Sequence, residues 1–309
     1  MSRPLQFSIQ IPMADDLGSW VDKCKRAEDH GFYSVSVPDH LGPSLPQMAP
    51  LVALATAIPV TSRLRLAMTV LDNDFRHPVI LAKEVATLDM LSGGRVDVGL
   101  GAGWLEEDYT KTGIATWDPP GVRVSRLIES IDVLRELWGA GGEPISHSGE
   151  FYELAEFVPF PDPVQAPVPL MIGARAKRML KMAAQKAQIV SILFASMAGG
   201  NTVASFEEQL GWIEEAGGRE RDDLRVGIRL PVGAVAGPGE SGDEAAAALA
   251  VRMGMSVEDV YASPFMVVGD HGRIRDHLLE VDETYDTPYM TISEDIAWAI
   301  APVVEELSA

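Results

Sequence analysis

A (β/α)8 TIM barrel is the fold this sequence predicts, on three observations. Short apolar strands alternate with helical stretches from the first residues, and four such units arrive in about 100 residues. Eight strands can be counted along the chain. The first strand–helix junction, Pro12 to Ser19, has one glycine, where an open dinucleotide-binding sheet would place GxGxxG. The alternation implies a parallel sheet with right-handed crossovers. A closed barrel is a common single-domain solution near 309 residues, and no Pro/Ser linker splits the chain. One barrel domain is therefore expected over residues 1–309.

The elements follow in order. Leu5, Phe7, Ile9 and Ile11 alternate with Gln6, Ser8 and Gln10, a strand period rather than a signal peptide. A helix is expected from Leu17 to His30, a strand from Phe32 to Pro38, a helix from Met48 to Val60 and a strand from Leu64 to Leu71. The helix from Val79 to Leu91 should stop at Gly93 and Gly94, and Arg95 to Gly101 forms the fourth strand. A helix from Arg123 to Trp138 and a Pro-rich loop from Pro159 to Pro169 precede strands at Leu170–Ile172, Ile189–Phe194, Arg225–Val235 and Tyr289–Ile292. Acidic, small residues from Gly237 to Val251 predict an insertion late in the chain, a surface loop running into a helix.

A net charge of −20 argues against affinity for nucleic acid or anionic membrane, and no apolar run approaches the roughly 18 residues of a membrane span. Cys24 is the only cysteine, so a disulfide within the chain is excluded and a reducing cytoplasm is the expected location. The six histidines lack HExxH spacing, so no metal site is expected. The partner these features predict is a small-molecule substrate.

Asp39 and His40 follow the second strand, at the end where barrel enzymes keep catalytic groups. A histidine there can move a proton near neutral pH; it could equally cap a helix or bond a carbonyl. Leu71, Asp72 and Asn73 close the third strand. Arg76 and His77, before Pro78, serve either a ligand or the start of the next helix. In the fourth strand Asp97, Gly99 and Gly101 share a face, with Gly103 and Trp104 just beyond; absent side chains there either admit a flat group against the backbone or relieve tight packing. From Pro163 to Phe206 there is no Asp or Glu. Gly173, Ala174 and Arg175, followed by Lys177, Arg178, Lys181 and Lys186, read as a strand, a glycine turn and a basic helix start, which is a phosphate site or a basic helix balancing acidic neighbours.

These segments resemble the luciferase-like monooxygenase superfamily: SVSVPDHL at 34–41, NDFRHPVILAKEVATLD at 73–89, LSGGRVDVGLGAGW at 91–104, the following EEDYTKTGI, and PLMIGARAKRML at 169–180. The resemblance spans about residues 5 to 195 and is closest to the branch of oxidoreductases dependent on the deazaflavin coenzyme F420. It implies a TIM barrel that binds F420 or flavin mononucleotide (FMN), often as a homodimer. Carried over, it places Asp39 and His40 beside the redox ring, Leu71 and Asp72 in a bulge behind it that in relatives contains a non-prolyl cis peptide, and Gly173 to Arg175 on the phosphate. Asn73, Gly101, Gly103, Trp104 and Arg178 complete the candidate cofactor set. Deazaflavin sugar dehydrogenases of the family have a glutamate where this chain has Trp104, which puts sugar-phosphate oxidation in doubt. The expectation is hydride transfer between F420 and a small organic substrate, with His40 exchanging the proton and the acid-free stretch guiding the anionic cofactor tail. The alternatives are an FMN-dependent monooxygenase fed by a separate reductase, and a non-catalytic flavin-binding barrel.

Overall fold

The computed structural model describes residues 4–195, 201–218 and 222–308. Residues 196–200, within the acid-free stretch, lie outside it. Strand β1 (Gln6–Gln10) leads into helix α1 (Leu17–Asp29), and β2 (Ser34–Val37) into α2 (Pro50–Ala57) with a 3-10 turn at Ile58–Val60. The short strands β3 (Arg65–Met68) and β4 (Leu71–Asp72) precede a second 3-10 turn, Asn73–Phe75, and α3 (Pro78–Ser92). Strand β5 (Val96–Gly101) is followed by α4 (Glu106–Thr112), α5 (Pro120–Gly139) and the strands β6 (Ile145–Ser148) and β7 (Glu153–Phe157). Next come β8 (Leu170–Ala174), α6 (Lys177–Lys186), β9 (Ile189–Ile192), α7 (Val203–Glu214), β10 (Arg225–Leu230) and β11 (Val232–Val235). The chain ends with α8 (Gly242–Met253), α9 (Val257–Ala262), β12 (Met266–Gly269), α10 (His271–Tyr285), β13 (Tyr289–Ser293), α11 (Glu294–Ala299) and α12 (Ala301–Ser308). Each of the eight strands read from the sequence is present, but the one expected over Arg225–Val235 is split at Pro231 into β10 and β11, which pair in different sheets.

Two compact units form, each discontinuous in sequence: Met1–Ile11, Lys25–Val35 and Ala174–Ala309 in one, Pro12–Cys24 and Ser36–Gly173 in the other. In the first unit β1 pairs with β13, β13 with β10 and β10 with β9, all parallel. Phe7, Ile9, Ile228, Met290 and Ile292 are buried on one face of these strands, while Ser8, Gln10 and Thr291 lie on the other, as the period of two requires. In the second unit β3 and β4 both pair with β5, and β5 with β8. The strand expected over Leu64–Leu71 is broken by a cis Thr69–Val70 peptide, where the chain steps out of the sheet between β3 and β4.

Local chemistry explains the helix ends. Pro78 opens α3, His77 Nδ1 accepts the Val79 N–H at 3.3 Å, and Gly93 closes the helix at φ 70°, a conformation glycine adopts freely. His77 is thus a helix cap. The late insertion is an exposed turn running into helix α8, as expected, and the helix is packed. Ser241 and Glu244 cap α8 reciprocally, and its Ala246, Leu249 and Ala250 pack with Val260, Met266 and Val268 into a separate small core beside the two-stranded parallel sheet β11–β12. A run of alanines with a single leucine gives that apolar face little contrast in the sequence. The antiparallel β6–β7 pair was missed because its strands are only four and five residues long and neither contains a buried residue. Among the described residues no helix is long and apolar enough to cross a membrane.

Candidate active site

His40 stands just past β2, and its Nδ1 lies 2.7 Å from Asp108 Oδ2. Asp108, on the first turns of α4, is 2% exposed, and its other oxygen accepts the Leu41 N–H at 3.1 Å. The His40 N–H donates to Gln47 Oε1 at 2.7 Å. The histidine is therefore held at two points, its ring by the Asp108 carboxylate and its backbone N–H by Gln47 of the following loop. With Nδ1 committed to the carboxylate, Nε2 is the nitrogen left to meet another molecule. The Trp104 ring meets the imidazole edge to face, with centroids 5.2 Å apart, and is itself 68% exposed. An indole so exposed beside a fixed imidazole offers an apolar wall to a bound molecule.

Behind this pair lies a buried ionic network. Asp39, 5% exposed, accepts both Arg76 Nη groups, at 2.6 and 3.1 Å, and the Asp72 N–H at 3.2 Å. Its carboxylate is consumed in holding β4, so Asp39 is a positioning group. Asp72 accepts the Tyr109 hydroxyl on both oxygens, at 2.7 and 2.8 Å, and the Asp74 N–H at 3.0 Å. Burial pushes Asp72 up to about 6, against the opposing pull of Tyr109 and the Asp74 N–H and with help from the neighbouring Asp74 and Asp39 charges. The same burial, with the nearby Asp72 charge, drives the Tyr109 hydroxyl upward. Asp74 pairs with Arg126 at 2.7 Å. Asn73, 3% exposed, reaches Tyr152 with its amide nitrogen at 3.4 Å, while its Oδ1 has no partner. An orphaned buried acceptor costs on the order of 1–3 kcal/mol and fits a site that receives a donor from outside.

The glycines of β5 have a direct structural reason. A Cβ on Gly99 would lie 2.0 Å from the Met68 carbonyl oxygen, and one on Gly101 would lie 2.9 Å from Val70 Cγ2. The space they leave is thus filled by the bulge between β3 and β4, so Val70 stands where a flat ring against bare glycine was expected. Gly103 has φ 75°, and a Cβ there would meet the Tyr109 hydroxyl at 2.0 Å and Asp72 Oδ2 at 2.7 Å; glycine keeps that pair intact. Arg123 donates to the Ala102 carbonyl at 3.1 Å and stacks 3.6 Å over Trp117, fixing the turn that presents Trp104. Leu71 is fully buried behind the site.

The phosphate-end candidates lie mostly in the other unit. Gly173 and Ala174 belong to β8, which runs through both before α6 begins at Lys177; Gly173 is a strand residue and not the turn glycine expected. Ala176 caps α6 without a side-chain bond, and Arg175 is exposed beside it. Arg178 is exposed on the first turn of α6. Lys177 and Lys181, however, reach Glu215 at 3.2 and 2.8 Å. The basic stretch is acid-free in sequence but not in space, because α7 brings Glu215 onto it.

Sequence reasoning reached Asp39, His40, Asp72, Asn73 and Trp104, and the structure brings these together. It missed Asp108 and Tyr109, although both lie in the EEDYTKTGI run, because a carboxylate 68 residues from its histidine leaves no local spacing signal. Val70 and Arg126 went unnoticed for the same reason.

Comparison with known proteins matches residues 5–236 to the luciferase-like monooxygenase family. A Mycobacterium tuberculosis protein of uncharacterised function is 37% identical over 168 residues, covering 48% of this chain and 57% of its own length. The F420-dependent glucose-6-phosphate dehydrogenase of Amycolatopsis mediterranei is 34% identical over 168 residues, covering 53% and 49%. The chain thus spans about half the length of the curated relatives it matches. Among solved structures, the coenzyme F420-dependent tetrahydromethanopterin reductase from Methanopyrus kandleri aligns at TM-score 0.75 and 20% identity, covering 99% of this chain and 98% of its own. The long-chain alkane monooxygenase LadA aligns at TM-score 0.79 and 16% identity, covering 100% and 91%. The fold is the luciferase-like (β/α)8 barrel, and the chain belongs to the luciferase-like monooxygenase family.

Proposed function

We propose that this protein is an oxidoreductase that transfers a hydride between coenzyme F420 and a small organic substrate, with His40 exchanging the proton. The observation that carries the reading is the His40–Asp108 pair, held 2.7 Å apart beside an exposed Trp104. Its support from relatives is the F420 dependence of a 34%-identical dehydrogenase. The residues present fit a flavin-like ring: within one unit Val70 and Trp104 offer apolar surfaces and Asn73 Oδ1 awaits a donor. Within the other, Arg175 is an exposed cation just before α6 and suits a phosphate. When bound, the deazaflavin supplies the hydride chemistry at its C5. The chain's own part is to orient and to move a proton. Asp108 orients the imidazole through Nδ1, so that Nε2 can give a proton to a developing alkoxide or take one from an alcohol. Trp104 shields that side from water.

One observation favours the runner-up, an FMN-dependent monooxygenase served by a reductase. Glu215 occupies two of the lysines that a long anionic tail would use, whereas FMN ends in one phosphate. Titrating the purified protein with F420 and FMN in parallel, followed by fluorescence, separates the two readings. Tighter F420 binding is expected, with His40→Ala retaining that affinity while losing roughly 10²-fold in turnover, the scale of a positioned acid or base. Submicromolar FMN binding with none for F420 would install the monooxygenase reading instead.

A further inference from the structure

We propose that the carboxyl ends of β1, β10 and β13 form a receptor for a monovalent oxyanion, the carboxylate of a small organic molecule, with Arg229 as its anchor. Arg229 is in register with Thr291, Thr291 with Ser8, and Gln10 with Ser293. Residues in register on parallel strands, and those two apart, share a face, so Ser8, Gln10, Arg229, Thr291 and Ser293 project together, opposite the apolar face of the same strands.

Every partner of the Arg229 guanidinium is neutral. Nη1 lies 3.3 Å from Ser293 Oγ and 3.5 Å from the Thr291 carbonyl oxygen, and Nη2 bonds Gln10 Oε1. No carboxylate lies within ion-pair distance among the described residues; Asp295 acts only from further off, and burial pushes the guanidinium down to about 10. The missing counter-charge is not a shortage of acids, since the chain has 45 Asp and Glu against 25 Lys and Arg. Arg65, Arg76 and Arg126 each hold a carboxylate at 2.6–2.7 Å. Arg95 also uses neutral oxygens, but it is wrapped by the carbonyls of Ile58, Leu64 and Ser92.

A second, independent observation is the Thr291 hydroxyl, on a residue 1% exposed and without a partner. A guanidinium carries five N–H donors, and the contacts above use at most three. The remaining fork suits a planar carboxylate, and one cation assisted by neutral hydroxyl and amide donors balances a single negative charge. A phosphate dianion would be left half-neutralised.

The test uses sodium benzoate as probe, with benzamide as its uncharged counterpart and inorganic phosphate as the competing oxyanion, titrated into the full chain by calorimetry without cofactor. It is therefore independent of the hydride-transfer reading. Benzoate should bind at millimolar concentration or below, benzamide about tenfold more weakly or worse, and Arg229→Gln should lose benzoate by about tenfold or more with an unchanged circular dichroism spectrum. Thr291→Val, which removes the orphaned hydroxyl at constant shape, should weaken benzoate severalfold while leaving Tm level or higher; a merely structural hydroxyl would not move the binding. Benzoate binding untouched by Arg229→Gln, or none to the natural protein at concentrations on the order of 10 mM, overturns the site. Tighter phosphate binding overturns the carboxylate assignment. Should Arg229→Gln fail to fold, Thr291→Val and the benzamide comparison decide.

Discussion

Asp72 shows how a single buried side chain couples the site to the fold. Its carboxyl is moved from an ordinary 3.8 up to about 6, chiefly by burial, so the folded chain binds this proton more tightly than the unfolded one. An acid shifted upward stabilises the fold in its protonated form. That contribution is fully present below about pH 4 and disappears as pH rises through about 6, and a shift of ~2 units at 1.36 kcal/mol each sets it at about 2–3 kcal/mol. Asp72→Asn keeps an acceptor for Tyr109 but cannot titrate. The unfolding free energy of the natural protein should therefore fall relative to the variant by about that amount between pH 4 and pH 7, measured by denaturant melts. A difference that stays constant with pH would show that Asp72 is solvated and ordinary. Asp108 has the same lesson for legibility: no pattern in the chain says that it faces His40, because the pairing is made only when α4 folds back onto the loop after β2.

At the scale of elements, α6 is the instructive case. Its basic face was legible in the sequence, and so was its start just after the strand containing Gly173. What was not legible is the neighbour: Glu215, at the end of α7, neutralises Lys177 and Lys181. Exposed pairs of this kind contribute about 0–1 kcal/mol, so Glu215→Gln should barely alter Tm. It should instead release two cations. If the F420 tail runs along α6, this variant will bind F420 several-fold more tightly at low salt and FMN no differently, by parallel titration; equal affinities before and after would mean that the tail takes another route. Helix α3, by contrast, was predictable at both ends, since Pro78 and Gly93 act through their own backbone geometry and need no distant partner.

For the whole molecule, the dominant quantity is the charge of −20. Compaction brings like charges together, and salt screens that repulsion within about 10 Å at 0.1 M. Tm is expected to rise by a few degrees between ionic strengths on the order of 0.01 and 0.5 M, followed by differential scanning calorimetry. A falling Tm would instead mean that attractive pairs such as Arg65 with Asp97, 2.7 Å apart, and Arg76 with Asp39 outweigh the general repulsion.

The order of the eight strands read from the sequence was determined by the sequence alone, because period-two and helical alternation, Pro78 before a helix and Gly93 after one are local rules that the backbone obeys wherever it lies. The placement of Asp39, His40, Asp72 and Trp104 at strand ends followed from that order. Tertiary structure alone decided what those ends do. It filled the space above Gly99 and Gly101 with Val70, tied Asp39 to Arg76, set Asp108 behind His40 and laid Glu215 across the lysines of α6. The insertion after Gly237 became a small packed core for the same reason. Each of these is a contact between residues far apart in the chain, and its energy depends on distance and burial, which no spacing along the sequence encodes.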